Sequence, residues 1–184
     1  MKKITVYCSS AANLPADLEE TALALGRAIG SEGCTLVYGG VNAGLMHLVA
    51  EGASEAGASI IGIVPSMFLH RADKLCTEII ETPDLNTRKS RMISEADIFV
   101  VLPGGIGTID EWVSTVSQFM AGGTVGQKEK PIIVYNRDGL FDAMALQFQK
   151  TNESIFSRGR IANAGTIVST RDELLEALRK IIKA

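Results

Sequence analysis

Short apolar runs rich in β-branched residues alternate along the chain with longer stretches whose apolar positions recur every three to four residues. Lys3 to Ser9 predicts a first strand. Pro15 to Gly33 predicts a helix with Leu18, Ala22, Leu25, Ala28 and Ile29 on one face and Gly33 as its stop. Thr35 to Tyr38 is a second strand, Gly44 to Gly57 a helix burying Leu45, Met46, Val49 and Ala53, and Ser59 to Val64 a third strand closed by Pro65. Ser66 to Lys74 has no clear period and reads as a loop, with a lid as the alternative. Thr77 to Glu81 is a fourth strand, Asp84 to Ala96 a helix, and Ile98 to Leu102 a fifth strand apolar enough to be buried on both faces. A helix from Thr108 to about Ala121 ends in the glycine-rich break Gly122 to Gly126. Pro131 to Tyr135, Leu140 to Asn152 and Thr166 to Ser169 then read as strand, helix and strand. The last helix turns Leu174, Leu175, Leu178, Ile181 and Ile182 inward and opens on a capping box, Thr170 with Glu173. Strands alternating with amphipathic helices predict parallel strands and an open three-layer α/β/α sheet. No linker or repeat interrupts residues 1–184, which predicts a single domain.

Composition narrows the class. With 46% apolar and 21% charged residues the chain is neither disordered nor fibrous. A net charge of −3 without a basic cluster argues against nucleic acid and anionic membranes as partners. The chain enters strand-like Ile4–Tyr7 at once, leaving no room for a signal peptide, and no apolar run reaches transmembrane length. A cytoplasmic protein is expected. Cys8, Cys34 and Cys76 are odd in number and widely spaced, so buried reduced thiols are expected rather than disulfides. With only His47 and His70 and no C-x-x-C, neither a metal site nor a cofactor is expected.

The chemistry gathers after the fifth strand. Pro103 stops strand pairing, and Gly104, Gly105 and Gly107 let the backbone turn sharply against a ligand. Thr108 to Glu111 fits the S/T-x-x-E capping box, so a helix should open there and offer free N–H groups to an anion, above all a phosphate. Ligands of such sheets bind beyond the carboxyl ends of the strands. The other unusual residues at that edge are Ser9-Ser10, Gly39-Gly40 with Gly44, and Asn86-Thr87-Arg88-Lys89. The turn after the first strand lacks a dinucleotide fingerprint, and Gly39-x-x-x-x-Gly44 continues as Leu45-Met46 rather than Lys-Ser/Thr, so neither NAD nor a nucleoside triphosphate fits. A mononucleotide-sized pocket remains, with a phosphate seat from Gly104 through Ile106 to Thr108, a carboxylate and a cation. Glu111 alone would read as a reciprocal cap, but a cap does not need three preceding glycines. Arg88 could be a solvated charge beside Asp84, Arg91 and Glu95. Lys89 shares a face with Leu85, Met92 and Ala96, which half-buries its stem. Gly39, Gly40 and Gly44 could serve helix–strand packing alone. Trp112, Phe119 and Met120 read as core or dimer-interface residues, and His47 as a helix-surface residue rather than a catalyst.

Pro103-Gly104-Gly105-Ile106-Gly107-Thr108-Ile109-Asp110-Glu111 matches a PGGxGTxxE motif, Arg88-Lys89-Ser90-Arg91-Met92 an Arg-Lys-x-x-Met motif, and Tyr38-Gly39-Gly40 with Gly44-Leu45-Met46 a YGG…GLM stretch. In these the chain resembles the Lonely Guy family of cytokinin riboside 5′-monophosphate phosphoribohydrolases, often labelled possible lysine decarboxylase. The resemblance runs from the first strand to about Ile161. It implies a Rossmann-like fold, a homodimer and cleavage of the N-glycosidic bond of a nucleoside 5′-monophosphate, a cytokinin riboside monophosphate or AMP. It assigns catalysis to the positions of Arg88 and Glu111. It gives the decarboxylase label no support. The chain departs from the pattern at Val41 and His47, where the family has glycines, at Leu85 to Thr87, and in a longer Gly122–Lys130 connection.

Cleaving an N-glycosidic bond builds positive charge on the ribose, which a carboxylate stabilises while orienting or deprotonating water; Glu111 suits that part. A guanidinium would oppose such charge, so Arg88 is expected on the phosphate or clamping ionised Glu111. Ser9, Gly39, Gly40, Gly44, Lys89 and the Gly104–Thr108 turn are expected to bind the substrate. The alternative is a non-catalytic nucleotide-binding or carrier module on the same fold, which would need the glycine turn but neither Arg88 nor Glu111.

Overall fold

The computed structural model describes residues 1–120, 129–154 and 164–184. The break Gly122–Gly126 and the end of the preceding helix at Ala121 lie outside them, as does the Gly122–Lys130 connection apart from Glu129 and Lys130. Among the described residues seven parallel strands form one sheet: β1 (Lys3–Tyr7), β2 (Thr35–Tyr38), β3 (Ile60–Pro65), β4 (Glu78–Thr82), β5 (Ile98–Val101), β6 (Ile132–Tyr135) and β7 (Thr166–Val168). Their order across the sheet is β4-β3-β2-β1-β5-β6-β7. Among the described residues five α-helices lie between strands, α1 (Ala16–Ser31), α2 (Gly44–Glu55), α3 (Leu85–Glu95), α4 (Ile106–Met120) and α5 (Asp142–Glu153), and α6 (Arg171–Lys183) follows β7. This is a Rossmann-like α/β fold.

Side chains alternate across the sheet as strand geometry requires. Ile4 and Val6 of the first strand with Cys8 just beyond it, and Ile98 and Val100 of the fifth with Leu102 just beyond it, face α1, α2 and α6. Tyr7, Phe99 and Val101 face the other way, against α3, α4 and the segment leading into α5. Trp112 is fully buried there, with Phe141 and Phe148 edge-on at 5.5 and 5.1 Å, which makes it a core residue. No helix of the described residues is long and apolar enough to cross a membrane.

Two local readings need correction. The segment after β3 is not a loop: Ser66–Arg71 winds into a 3₁₀ helix. Its end is tied to the turn after β2 by the Asn42 N–H to the Arg71 carbonyl (3.0 Å) and the Asp73 N–H to the Gly40 carbonyl (2.8 Å). The capping box predicted at Thr108–Glu111 does not form, because the strand-to-helix turn consumes only Gly104 and Gly105 and α4 is already helical at Ile106. Thr108 therefore stands inside the first turn and Glu111 in the second. The box at Thr170 and Glu173 does form and opens α6.

Sheet order decides where a ligand fits. β1 to β4 build outward in one direction, then β5 returns to pair with the other side of β1. The helices after β1 and β5 consequently leave on opposite faces of the sheet and open a crevice at the carboxyl ends of those strands.

Candidate active site

That crevice is a cavity of about 380 Å³, a size suited to a small molecule. The turn after β1 supplies Cys8, Ser9, Ser10 and Ala11, the β2–α2 region Val41 and Met46, and the β3 end with its 3₁₀ helix Pro65, Phe68 and Arg71. α3 contributes Arg88, and the turn and first helical residues after β5 contribute Gly105, Gly107, Thr108 and Glu111.

The opening of α4 makes one wall. Its first bond to the preceding turn runs from the Ile109 N–H to the Gly105 carbonyl at 3.1 Å, so the N–H groups of Ile106, Gly107 and Thr108 precede the hydrogen-bonded ladder. Gly105 and Gly107 are exposed to the cavity, whereas the Thr108 side chain is buried over Gly104. The turn is held by the Leu102 N–H on the Tyr7 carbonyl (2.9 Å) and the Ser9 N–H on the Pro103 carbonyl (3.3 Å). Three exposed-end N–H groups and the positive end of the helix dipole form an anion seat.

Glu111 and Arg88 face each other beside it. The inward residues of α4 are Thr108, Glu111, Trp112, Thr115, Val116 and Phe119, the spacing of a core-facing helical stripe. Glu111 thus occupies a position normally given to an apolar residue. Its Oε1 lies 3.1 Å from Arg88 Nη1, with the two side chains 7% and 11% exposed. Arg88 Nε–H also donates to the Ile63 carbonyl at 3.1 Å. Burial raises the Glu111 pKa to about 7, outweighing the opposing pull of Arg88. Arg88 is therefore no solvated surface charge; it is bound to the carboxylate. Beneath the pair, Tyr7 and Thr115 share a hydrogen bond of 2.9 Å and the Thr115 hydroxyl donates to the Glu111 carbonyl at 2.9 Å, fixing that turn of helix.

Of the residues expected to bind a ligand, Ser9, Gly105, Gly107 and Thr108 line the cavity with Arg88 and Glu111. Gly39, Gly40, Gly44, Gly104, Ile106 and Lys89 are not among its lining side chains. Gly39 stands behind Arg88: a methyl group there would lie 2.1 Å from Nη2, so its absence makes room for the guanidinium. Gly40 (φ 68°) and Gly44 (φ 51°) take left-handed conformations that carry the chain from β2 into α2. A methyl group at Gly44 would strike the Ala11 carbonyl at 2.4 Å. The Ile106 side chain is 82% exposed, so only its N–H belongs to the seat. Lys89 lies in the groove between α3 and α4, where its Nζ donates to Asp110 Oδ2 at 2.7 Å and Ser114 Oγ at 3.3 Å.

The departure at Val41, expected on the base or entrance side of the pocket, does line the cavity; sequence reasoning missed Cys8, Met46, Phe68 and Arg71 as cavity walls, and Asp73 altogether. Asp73 is 1% exposed and holds His47 Nδ1 at 2.9 Å. Its segment had no hydrophobic period to betray a buried carboxylate. Cys8, Cys34 and Cys76 are free thiols. Among the described residues no group of three His, Cys, Asp or Glu side chains could hold a metal ion.

The family model described as possible lysine decarboxylase matches residues 46–178. A cytokinin riboside 5′-monophosphate phosphoribohydrolase from Mycobacterium marinum is 32% identical over 176 residues, 95% of this chain and 91% of that protein. The protein of the same name from Mycobacterium tuberculosis is 37% identical over 143 residues, 77% of this chain and 74% of its own. Among solved structures, the molybdenum cofactor binding protein of Rippkaea orientalis superposes with a TM-score of 0.73 at 27% identity, covering 98% of this chain and 97% of that one.

Proposed function

The chain belongs to the family described as possible lysine decarboxylase, which takes in the cytokinin riboside 5′-monophosphate phosphoribohydrolases, and from that premise we propose that it hydrolyses the N-glycosidic bond of an adenine-type nucleoside 5′-monophosphate. It is a hydrolase acting on N-glycosyl compounds, and its products are the free base and ribose 5-phosphate. The observation that carries this reading is the buried Arg88–Glu111 pair set in the same cavity as the open amino end of α4. The lysine decarboxylase label finds no support there, since no lysine lines the cavity among the described residues.

The 5′-phosphate sits on the N–H groups of Ile106, Gly107 and Thr108, where a favourable helix-end interaction contributes roughly 0.3–2 kcal/mol. Anchored there, the ribose presents C1′ to Glu111. Ionised Glu111 stabilises the developing oxocarbenium charge and accepts a proton from the attacking water. The water oxygen bonds to C1′ as the C1′–N bond breaks, and the base departs with that electron pair and takes a proton from solvent. Arg88 favours the ionised form of Glu111 by pairing with it, against the burial that disfavours it. The homodimer implied by the resemblance belongs to the same proposal, supported by the exposed Leu85 on α3 and Ile106 and Val113 on α4. Three free cysteines suit a cytoplasmic setting.

The likeness to the molybdenum cofactor binding protein favours a second reading, a carrier that holds its ligand without cleaving it. A carrier needs the anion seat but not the Arg88–Glu111 pair. Incubation with AMP and with N6-prenylated AMP, followed by chromatography, separates the two. Free base and ribose 5-phosphate in equal amounts are expected; binding without release would establish the carrier.

A further inference from the structure

The residues that line the cavity have different supports. Ser9, Arg88, Glu111 and the amino end of α4 form the part already assigned to phosphate and sugar. Val41, Met46, Phe68 and Arg71 line the rest, with Met46 Cε close to the Arg88 guanidinium beside Gly39, and they come from two separate pieces of chain. Val41 and Met46 belong to the β2–α2 turn and the first turn of α2, whereas Phe68 and Arg71 belong to the 3₁₀ helix after β3.

Asp73 joins the two pieces. Its carboxylate is buried, and His47 Nδ1–H, one residue beyond Met46 on α2, donates to its Oδ2 at 2.9 Å. Its Oδ1 accepts the Leu75 N–H at 3.1 Å, and its own N–H donates to the Gly40 carbonyl at 2.8 Å. The Tyr38 hydroxyl at the end of β2 interacts with the same carboxylate and with Cys76 Sγ, the latter at 3.3 Å. An isolated antiparallel bridge between Val41 and Ala72 completes the tie. None of these bonds reaches the phosphate part.

We propose that His47 and Asp73 are positioning residues that set the spacing between the Met46 wall and the Phe68–Arg71 wall, and so determine which base the cavity accepts. The proposal rests on the reading of the cavity as a nucleotide site with phosphate at α4, which leaves the base to this part. Neither side chain touches the reacting atoms. Loss of the His47 donor leaves Asp73 Oδ2 to relax toward other donors or water while Oδ1 keeps the Leu75 N–H, and the segment carrying Phe68 and Arg71 moves with it.

The test compares the parent, His47→Ala and His47→Gln. His47 is half-buried, so these variants are expected to fold, which circular dichroism checks; Asp73→Asn, at a buried site, is the riskier change. Binding of AMP and of ribose 5-phosphate is measured by calorimetry, alongside kcat and KM for AMP and N6-prenylated AMP. His47→Ala should weaken AMP binding and raise KM about tenfold, with kcat within about twofold and the AMP-to-prenylated-AMP preference altered. Affinity for ribose 5-phosphate should not change. His47→Gln, whose amide reaches a carboxylate as a donor, should recover most of the loss. The proposal is overturned if His47→Ala leaves AMP affinity intact, or if it weakens ribose 5-phosphate and AMP alike. A parent that binds AMP without cleaving it refutes the hydrolase reading only, and the binding arm still decides the tie. A parent that binds no nucleotide refutes both.

Discussion

At the scale of single residues, Glu111 is held between opposed influences. Burial alone would keep it neutral, while Arg88 at 3.1 Å draws it toward the charged form, and the balance falls at a pKa of about 7. If the ionised carboxylate is the working form, kcat/KM should rise with pH through about 7, and Glu111→Gln should abolish base release while retaining nucleotide binding. Arg88→Ala removes the lowering influence, so the residual activity should begin its rise about one pH unit or more higher. Gly39→Ala, which pushes the guanidinium aside, should shift the profile the same way with the arginine present. A profile measured from pH 5 to 9 checks all three, and an unmoved profile in Arg88→Ala would contradict the assigned role. Folding stability carries the same signature. Glu111 titrates higher in the folded chain than its reference value of 4.5, so between pH 4.5 and about 7 the native state binds more protons and stability falls as pH rises. That part of the slope should vanish in Glu111→Gln.

At the scale of elements, α1 and α2 meet with almost no side chain between them. A methyl group on Gly26 would lie 2.1 Å from the Val49 carbonyl, and one on Gly52 would lie 2.1 Å from the Leu23 carbonyl. Gly26→Ala should therefore cost about 1–3 kcal/mol in urea unfolding by overpacking, with KM for nucleotide unchanged, because the contact is remote from the cavity. The helices and strands themselves were legible: periods of two and three to four, with Pro65, Pro103 and Gly33 as punctuation, locate the regular elements to within a few residues. The helix start after β5 was misread because Thr108 and Glu111 are spaced three apart, which suits a capping box and an inward stripe equally. The continuation through Trp112, Thr115, Val116 and Phe119 favours the stripe, and there lay the signal that Glu111 is buried. Asp73 gave no signal, since its environment is made by the turn after β2 and by α2, both distant in sequence.

At the scale of the whole molecule, the return of β5 to the free side of β1 brings the loops after β1, β2, β3 and β5 to one crevice. Residues as far apart as Ser9, Arg88 and Glu111 share a cavity for that topological reason, and sequence order alone brings none of them together. The motifs at Arg88 and Gly104–Glu111 marked residues that line the cavity because they are local. The wall built by Met46, Phe68 and Arg71 was hidden because it exists only once the sheet is assembled, whereas Val41 stood out as a departure from the motif. The central claim, that an anion seat at α4 delivers a ribose to Glu111, is tested most directly by a crystal structure of the Glu111→Gln variant soaked with AMP. The phosphate should lie against the N–H groups of Ile106, Gly107 and Thr108, with C1′ beside the residue-111 side chain and the base between Met46 and Phe68. Phosphate density anywhere other than the amino end of α4 would contradict the account.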